Sequence, residues 1–398
     1  MKINIIRGQN QIGGSIIEIS TAKTKIVFDI GINLDEGDKV EIPPIDGLFF
    51  GKKKYDAVFI SHYHSDHIGL LDYIVKGIPI YMGKTAYKIV EAASAYRGVQ
   101  YEFHPEFIYD STPIIIKDIK ITPVLCDHSA FDSYMFLIEA DGKKILYTGD
   151  FRANGRLDYN ALLLKIPTVD ALIIEGTTLS REDAVKNIEE ETLEGIAVNA
   201  LSKHSGPAFI MMSAMNIDRL ITMSNVAKQT GRIFLQDIYT AKISKASEEL
   251  TLIQDNNTRV FMTGGDKQYQ MLSKFDAVKI GKNAISKEKF LMCIRPSMKN
   301  YLSRLNDICS FEDGILFYGM WKGYLERDDM KAFVDFMKAK GVKLHILHTS
   351  GHADAMSIEN LVKDVSPKFI IPVHTENAEW FSKYSNTEIV YNCHNYSV

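Results

Sequence analysis

The residues best equipped for chemistry lie in one short run, Ser61-His62-Tyr63-His64-Ser65-Asp66-His67, directly after the apolar stretch Ala57-Val58-Phe59-Ile60. In an extended segment positions i and i+2 face the same side, so His62 and His64 can reach one ion together. The chain then turns toward a helix, and from that turn Asp66 and His67 point at a second position. Three imidazoles and a carboxylate this close together suit zinc, which takes N, O and S donors. A lone histidine is more often structural than a ligand. Here, however, three of only 11 histidines sit beside an aspartate at a strand-to-helix turn, which marks a metal site.

A catalytic metal needs further donors and a place left open. Each candidate closes an apolar run: His128 follows Ile121–Asp127, Asp150 follows Ile145–Gly149, and His374 follows Phe369–Val373. Loops at one end of a sheet carry ligands on a rigid scaffold, so three strand ends point to convergence. Individually each has a bland reading; jointly with the 62–67 cluster they read as one site.

The elements that must position these residues are short. Runs rich in Ile, Val, Phe and Tyr, bounded by Gly, Asp or Pro, predict strands at 15–20 and 25–30 (a hairpin about 21–24), 57–61, 114–116, 134–139, 144–148 and 171–175. The N-terminal stretch also reads as a strand rather than a signal peptide. Helical patterns are fewer here, at 68–76 and 85–96. From about residue 181 helices at 181–202 and 219–230 alternate with strands at 208–212, 232–236, 259–263 and 314–318, the pattern of a parallel sheet. After a helix at 328–340 the strands 343–349 and 369–373 read as a return to the first style. The expected organisation is a β-rich sandwich (1–180 and 343–398) interrupted by an α/β insertion at 181–342.

Composition is globular, with 46% hydrophobic and 24% charged residues, and no apolar run approaches a membrane span. Four scattered cysteines without a C-x-x-C pair argue against a disulfide scaffold or thiolate zinc site and suggest a reducing cytoplasm. The net charge of −4 conceals a contrast: residues 259–304 hold 10 basic and 3 acidic side chains. Such a stretch is commonly a solvated face and matters for function only if it lines a site.

Taken together, His62-x-His64-x-Asp66-His67, His128, Thr148-Gly149-Asp150 and His374 resemble the metal-binding motifs of the metallo-β-lactamase superfamily. Asp29 resembles its early aspartate bracing the histidine loop. Glu175-Gly176-Thr177-Thr178, Ser350-Gly351-His352-Ala353 and Pro372-Val373-His374 are similar to motifs A, B and C of the β-CASP branch. Ser213-Ala214-Met215-Asn216-Ile217-Asp218-Arg219 is similar to a segment of RNase J-type enzymes, as are the runs at 237–241 and 294–298. One departure is His374-Thr375-Glu376, where the family carries His-Gly-Glu.

The resemblance implies an αββα sandwich with an inserted α/β domain, of mixed α+β and α/β class, acting as a zinc-dependent ribonuclease. It implies two zinc ions (manganese being the alternative), held by His62, His64 and His128 and by Asp66, His67 and His374. Asp150 would bridge them, and a shared hydroxide would attack phosphorus. His352 would act on the scissile phosphate, with Asp66 and Glu175 supporting the catalytic centre. Ser213, Asn216, Arg219 and Ser350 would contact single-stranded RNA, and Phe209, Tyr239, Tyr269 and Tyr301 could stack on bases. A cytoplasmic enzyme with no membrane partner follows, and a homodimer is one assembly it allows. The competing reading is a small-molecule ester, phosphodiester or lactone hydrolase on the same metal core, disfavoured because such chemistry does not need the insertion.

Overall fold

The computed structural model describes residues 1–34, 40–99, 101–181, 186–247, 257–264, 266–275 and 278–398. Two compact units result: residues 1–94, 99–187 and 351–398 form the first, and 95–98 with 188–350 the second.

The first unit holds two seven-stranded sheets. One comprises β1 (Lys2–Arg7), β2 (Ile16–Ser20), β3 (Lys25–Phe28), β4 (Ala57–Phe59), β5 (Ile80–Gly83) and β6 (Glu106–Ile108), with β20 (Tyr396–Ser397) beside β1. The other has the order β19–β18–β11–β10–β9–β8–β7, from β7 (Ile114–Ile116), β8 (Ile119–Cys126), β9 (Ser133–Ala140), β10 (Lys143–Tyr147), β11 (Ala171–Glu175), β18 (Phe369–Val373) and β19 (Glu388–Ile389). The predicted hairpin forms, with Ile17 opposite Phe28 and the Thr21 hydroxyl accepting from the amides of Lys23 and Thr24.

Strand alternation decides which side chains enter which core. Ile17, Ile19, Ile26, Phe28 and Phe59 from the first sheet share one buried cluster with Phe136, Ile138, Ile145, Ile173, Ile371 and Val373 from the second. The intervening residues Leu146, Leu172, Ile174 and Ile370 point the other way, into a cluster with Ile358, Leu361 and Val362 of the helix Ala355–Val365. The expected layered sandwich therefore has its central core between the sheets.

The second unit is built on a six-stranded sheet ordered β14–β13–β15–β12–β16–β17, from β12 (Ala208–Met211), β13 (Ile233–Asp237), β14 (Thr258–Phe261), β15 (Phe290–Ile294), β16 (Ile315–Tyr318) and β17 (Lys343–Ile346). Every pairing in it is parallel.

Three expectations change. The helix expected at 68–76 is a short helix Ser65–Ile68 followed by a 3-10 turn Leu71–Tyr73. Gly69, which the expected helix would carry in its first turn, instead closes the short helix by donating to the Ser65 carbonyl. The helix expected at 181–202 begins only at Glu190, and 182–185 lie outside the described residues. The strand at 343–349, read as the start of the returning domain, spans only Lys343–Ile346 and pairs with β16. Its alternation is visible in the sequence, but period alone does not say which sheet a strand joins.

Candidate metal centre

The strand directions explain why distant residues meet. β10 runs parallel to β11, and β11 parallel to β18, so all three end at one edge. β8 is antiparallel to β9, which is antiparallel to β10, so β8 also ends there. That edge delivers Asp127–His128, Asp150, Glu175 and His374. β3 and β4, parallel neighbours in the other sheet, deliver Asp29 and the 61–67 loop.

The donor atoms converge. Within each of the sets His62/His64/His128, His62/His67/Asp150 and Asp66/His67/His374, one ligand atom per residue lies within 4.8 Å of the others. Asp150 Oδ2 is the common centre, 3.7 Å from His62 Nε2, 3.3 Å from His67 Nε2, 3.9 Å from His128 Nε2 and 3.8 Å from His374 Nε2. Asp66 Oδ2 lies 3.0 Å from His374 Nε2, and His64 Nδ1 lies 3.1 Å from His128 Nε2.

Four of the five imidazoles are held by Nδ1, which sets how the ring is turned. His67 Nδ1 meets Asp29 Oδ2 at 2.8 Å, and His374 Nδ1 meets Thr177 Oγ1 at 2.8 Å. His128 Nδ1 meets the Gly351 carbonyl, which can only accept, so Nδ1 carries the proton. The Ser61 hydroxyl donates to Asp29 at 2.7 Å and so accepts from His62 Nδ1 at 3.0 Å. In all four rings Nε2 faces the centre and would be the atom offered to a bound metal.

Asp29 is the hub. It is fully buried and also accepts from the Ser61 amide at 2.7 Å and the Tyr147 hydroxyl at 2.6 Å. Its backbone sits at φ 55°, and His374 at φ 51°, left-handed values that non-glycine residues adopt rarely. Gly31 shows how closely the loops pack, since a Cβ there would lie 1.6 Å from the Asp66 carbonyl oxygen.

The electrostatics suit a cation. Burial, then neighbouring histidines, push the pKa of His62 and His128 well below the ordinary value, and burial lowers that of His64 to about 4, so these rings are neutral near pH 7. Burial alone would neutralise Asp150, but His374, His67 and His352 hold its carboxyl well below the usual range. Both Asp150 oxygens and the Nε2 atoms of His62 and His67 are buried with no hydrogen-bond partner. Buried polar atoms without partners are costly. A hard or borderline cation satisfies all four, so the donor set fits a metal.

Beside the centre, His352 is 22% exposed, its Nδ1 3.1 Å from Glu175 Oε2 and 3.5 Å from Asp150 Oδ2. Burial would lower its pKa, but the Glu175 and Asp150 carboxylates outweigh that and raise it. Glu175 is fully buried and also accepts from the Phe151 amide at 2.9 Å and the Thr177 hydroxyl at 2.6 Å. Sequence reading missed Thr177, Ser61 and Tyr147. Their only signal was adjacency to a motif residue.

The second unit treats its expected RNA contacts differently. Arg219 is fully buried, its guanidinium paired with Glu190 at 2.6 and 3.2 Å and donating to the carbonyls of Gly319 and Leu347. It is a structural tie rather than the expected phosphate contact. Asn216 caps the helix Ile217–Gln229, its side-chain oxygen accepting from the Arg219 amide at 3.0 Å. Ser213 is exposed and its hydroxyl accepts from the Met215 amide, whereas Ser350 is buried. Phe209 and Tyr301 belong to the core of this unit, Tyr239 is half-buried against Arg295, and Tyr269 is exposed. Lys287 and Lys289 immediately precede β15 at its amino end, whereas Arg295 lies at its carboxyl end and Lys282, just past a segment that runs parallel beside β14, sits against Tyr301. The basic stretch therefore does not form one face, and 265 and 276–277 within it lie outside the described residues.

Residues 25–222 match the profile of the beta-lactamase superfamily domain, and 337–394 that of the Zn-dependent metallo-hydrolase RNA specificity domain. An RNase J-like protein of Methanocaldococcus jannaschii is 30% identical over 256 residues, covering 58% of this chain and 56% of that protein. A ribonuclease J of Helicobacter pylori is 22% identical over 396 residues, covering 94% of this chain and 56% of its own length. The chain thus spans a little over half of these relatives. A crystal structure of a protein of unknown function from Enterococcus faecalis superposes with a TM-score of 0.80 at 19% identity, covering 98% of this chain and 97% of that one, a likeness of fold alone.

Proposed function

We propose that this chain, which belongs to the β-CASP branch of the metallo-β-lactamase superfamily, is a zinc-dependent ribonuclease that hydrolyses phosphodiester bonds of single-stranded RNA. The observation that carries this reading is the convergence of seven ligand residues from four strand ends, with the buried carboxylate of Asp150 at their centre. The RNA part rests on the RNA specificity profile, whose span includes both His352 and His374.

In this reading His62, His64 and His128 would hold one ion and Asp66, His67 and His374 a second, with the Asp150 carboxylate available to both. When bound, such ions supply Lewis acidity toward phosphoryl oxygens and lower the pKa of water to about 7. The chain contributes the rest. Asp29, Ser61, Thr177 and the Gly351 carbonyl hold the rings so that little reorganisation is needed during reaction. Glu175 orients His352 through Nδ1, leaving Nε2 as the atom to hold or deliver a proton at the leaving oxygen. The same reading places the enzyme in the cytoplasm and allows a homodimer, which sedimentation of purified protein would reveal. Among the described residues no helix is long and apolar enough to cross a membrane.

The test combines metal analysis with a time course on end-labelled single-stranded RNA. About two zinc per chain and cleavage abolished by chelator, then restored by zinc, are expected. Metal-loaded protein that leaves RNA intact yet hydrolyses small esters or lactones would favour the other substrate class.

A further inference from the structure

We propose that the Thr177 hydroxyl is a positioning residue that joins the metal ligand His374 to the Glu175–His352 pair, so that one hydroxyl sets both the ring that grips metal and the ring that faces substrate. This rests on the metal-centre reading above.

Three distances build the link. Thr177 Oγ1 lies 2.6 Å from Glu175 Oε2 and 2.8 Å from His374 Nδ1, and Glu175 Oε2 lies 3.1 Å from His352 Nδ1. A hydroxyl has one proton and two lone pairs. Glu175 as a carboxylate only accepts, so the Thr177 proton goes to Oε2 and its lone pair accepts from His374. That places a proton on His374 Nδ1, so that Nε2, which lies 3.0 Å from Asp66 Oδ2 and 3.8 Å from Asp150 Oδ2, would be the atom that gives up its proton to a bound metal. The same Oε2 receives His352 Nδ1. One carboxylate oxygen therefore collects a direct bond from one histidine and a relayed bond from the other.

Burial makes the link consequential. Thr177 is 2% exposed, Glu175 fully buried and His374 2% exposed, so water does not readily replace a lost bond. His374 also needs its hydrogen bond for a second reason, because its left-handed backbone is held by surrounding contacts. Its amide donates to the Gly8 carbonyl at 2.6 Å, and its ring has Thr177. Without the hydroxyl nothing in this chain of bonds selects the Nδ1–H tautomer.

The experiment compares Thr177→Val, which removes the hydroxyl at nearly constant volume, with Thr177→Ser, which keeps it. Zinc affinity is measured by chelator competition, and the His374 ring is read by nitrogen-15 NMR of histidine-labelled, zinc-loaded protein. Thr177→Val is expected to bind zinc 10- to 100-fold more weakly, the range for losing a group that orients a ligand, with altered His374 ring shifts. Thr177→Ser is expected within about threefold of wild type by the same reasoning. If Thr177→Val does not fold, Thr177→Ala removes the same hydroxyl without bulk and replaces it in both measurements. Wild-type zinc affinity and unchanged His374 shifts in the hydroxyl-free variant would overturn the link, as would a Thr177→Ser protein as weak as Thr177→Val. Wild-type protein that binds no zinc would instead overturn the metal-centre reading itself, so the two failures are distinct.

Discussion

His352→Ala tests whether the histidine proposed to handle the proton is distinct from the proposed metal ligands. In the structure the substitution removes one hydrogen bond to Glu175, which keeps the Phe151 amide at 2.9 Å and the Thr177 hydroxyl at 2.6 Å. A hydrogen bond to a charged group contributes roughly 1.5–3 kcal/mol net. Because the His352 side chain is 22% exposed, water can replace part of it, and the loss should be about 1 kcal/mol. Against a typical stability of roughly 5–15 kcal/mol the protein stays folded. RNA cleavage should nonetheless fall on the order of 10²- to 10⁴-fold, the range for a positioned acid, or about 2.7–5.4 kcal/mol in barrier. His64→Ala serves as the contrast. It removes a donor from the His62/His64/His128 set, so metal and activity should disappear together. The assay is zinc stoichiometry, melting temperature and single-turnover RNA cleavage on both variants. Loss of a metal ion from His352→Ala would refute the separation. That outcome is physically available, because Asp150, Glu175, His352 and His374 also bring ligand atoms within 4.8 Å of one another.

Other expectations follow from the same contacts. Arg219→Met should cost about 3–5 kcal/mol in denaturant unfolding, since it strips the guanidinium from a buried carboxylate; a variant that unfolds like wild type but loses RNA affinity would restore the phosphate-contact reading. Asp29→Asn should weaken zinc binding 10- to 100-fold by chelator competition, because an amide cannot accept from Ser61, His67 and Tyr147 at once as the carboxylate does. Reversal of Lys287 and Lys289 to Glu should leave RNA affinity within about twofold in filter binding, since ligands of parallel α/β sheets bind at the carboxyl ends of strands and these two precede β15 directly; a steep loss would return those lysines to the substrate path.

The candidate metal donors are legible in the sequence because coordination chemistry admits few residue types and strand ends punctuate the chain. His62, His64, Asp66, His67, His128, Asp150 and His374 all follow apolar runs, and the fold brings their ligand atoms together. Strand positions are readable for a similar reason, since a period of two and bounding glycines are local properties, and β11 and β18 fall where the pattern puts them. The partners of those elements are not local. β17 looks like any exposed strand until its pairing with β16 is seen, and the sheet it joins depends on backbone hydrogen bonds to Ile315–Tyr318. Arg219 shares its residue type with phosphate contacts everywhere. Its fate is decided by Glu190, 29 residues earlier, where two helices pack and exclude water from both charges. Thr177 meets His374 across 197 residues, and a hydroxyl's single proton leaves no trace in a sequence. Residue chemistry and local period are written along the chain, whereas burial and the direction of a hydrogen bond exist only once distant segments have displaced the water between them.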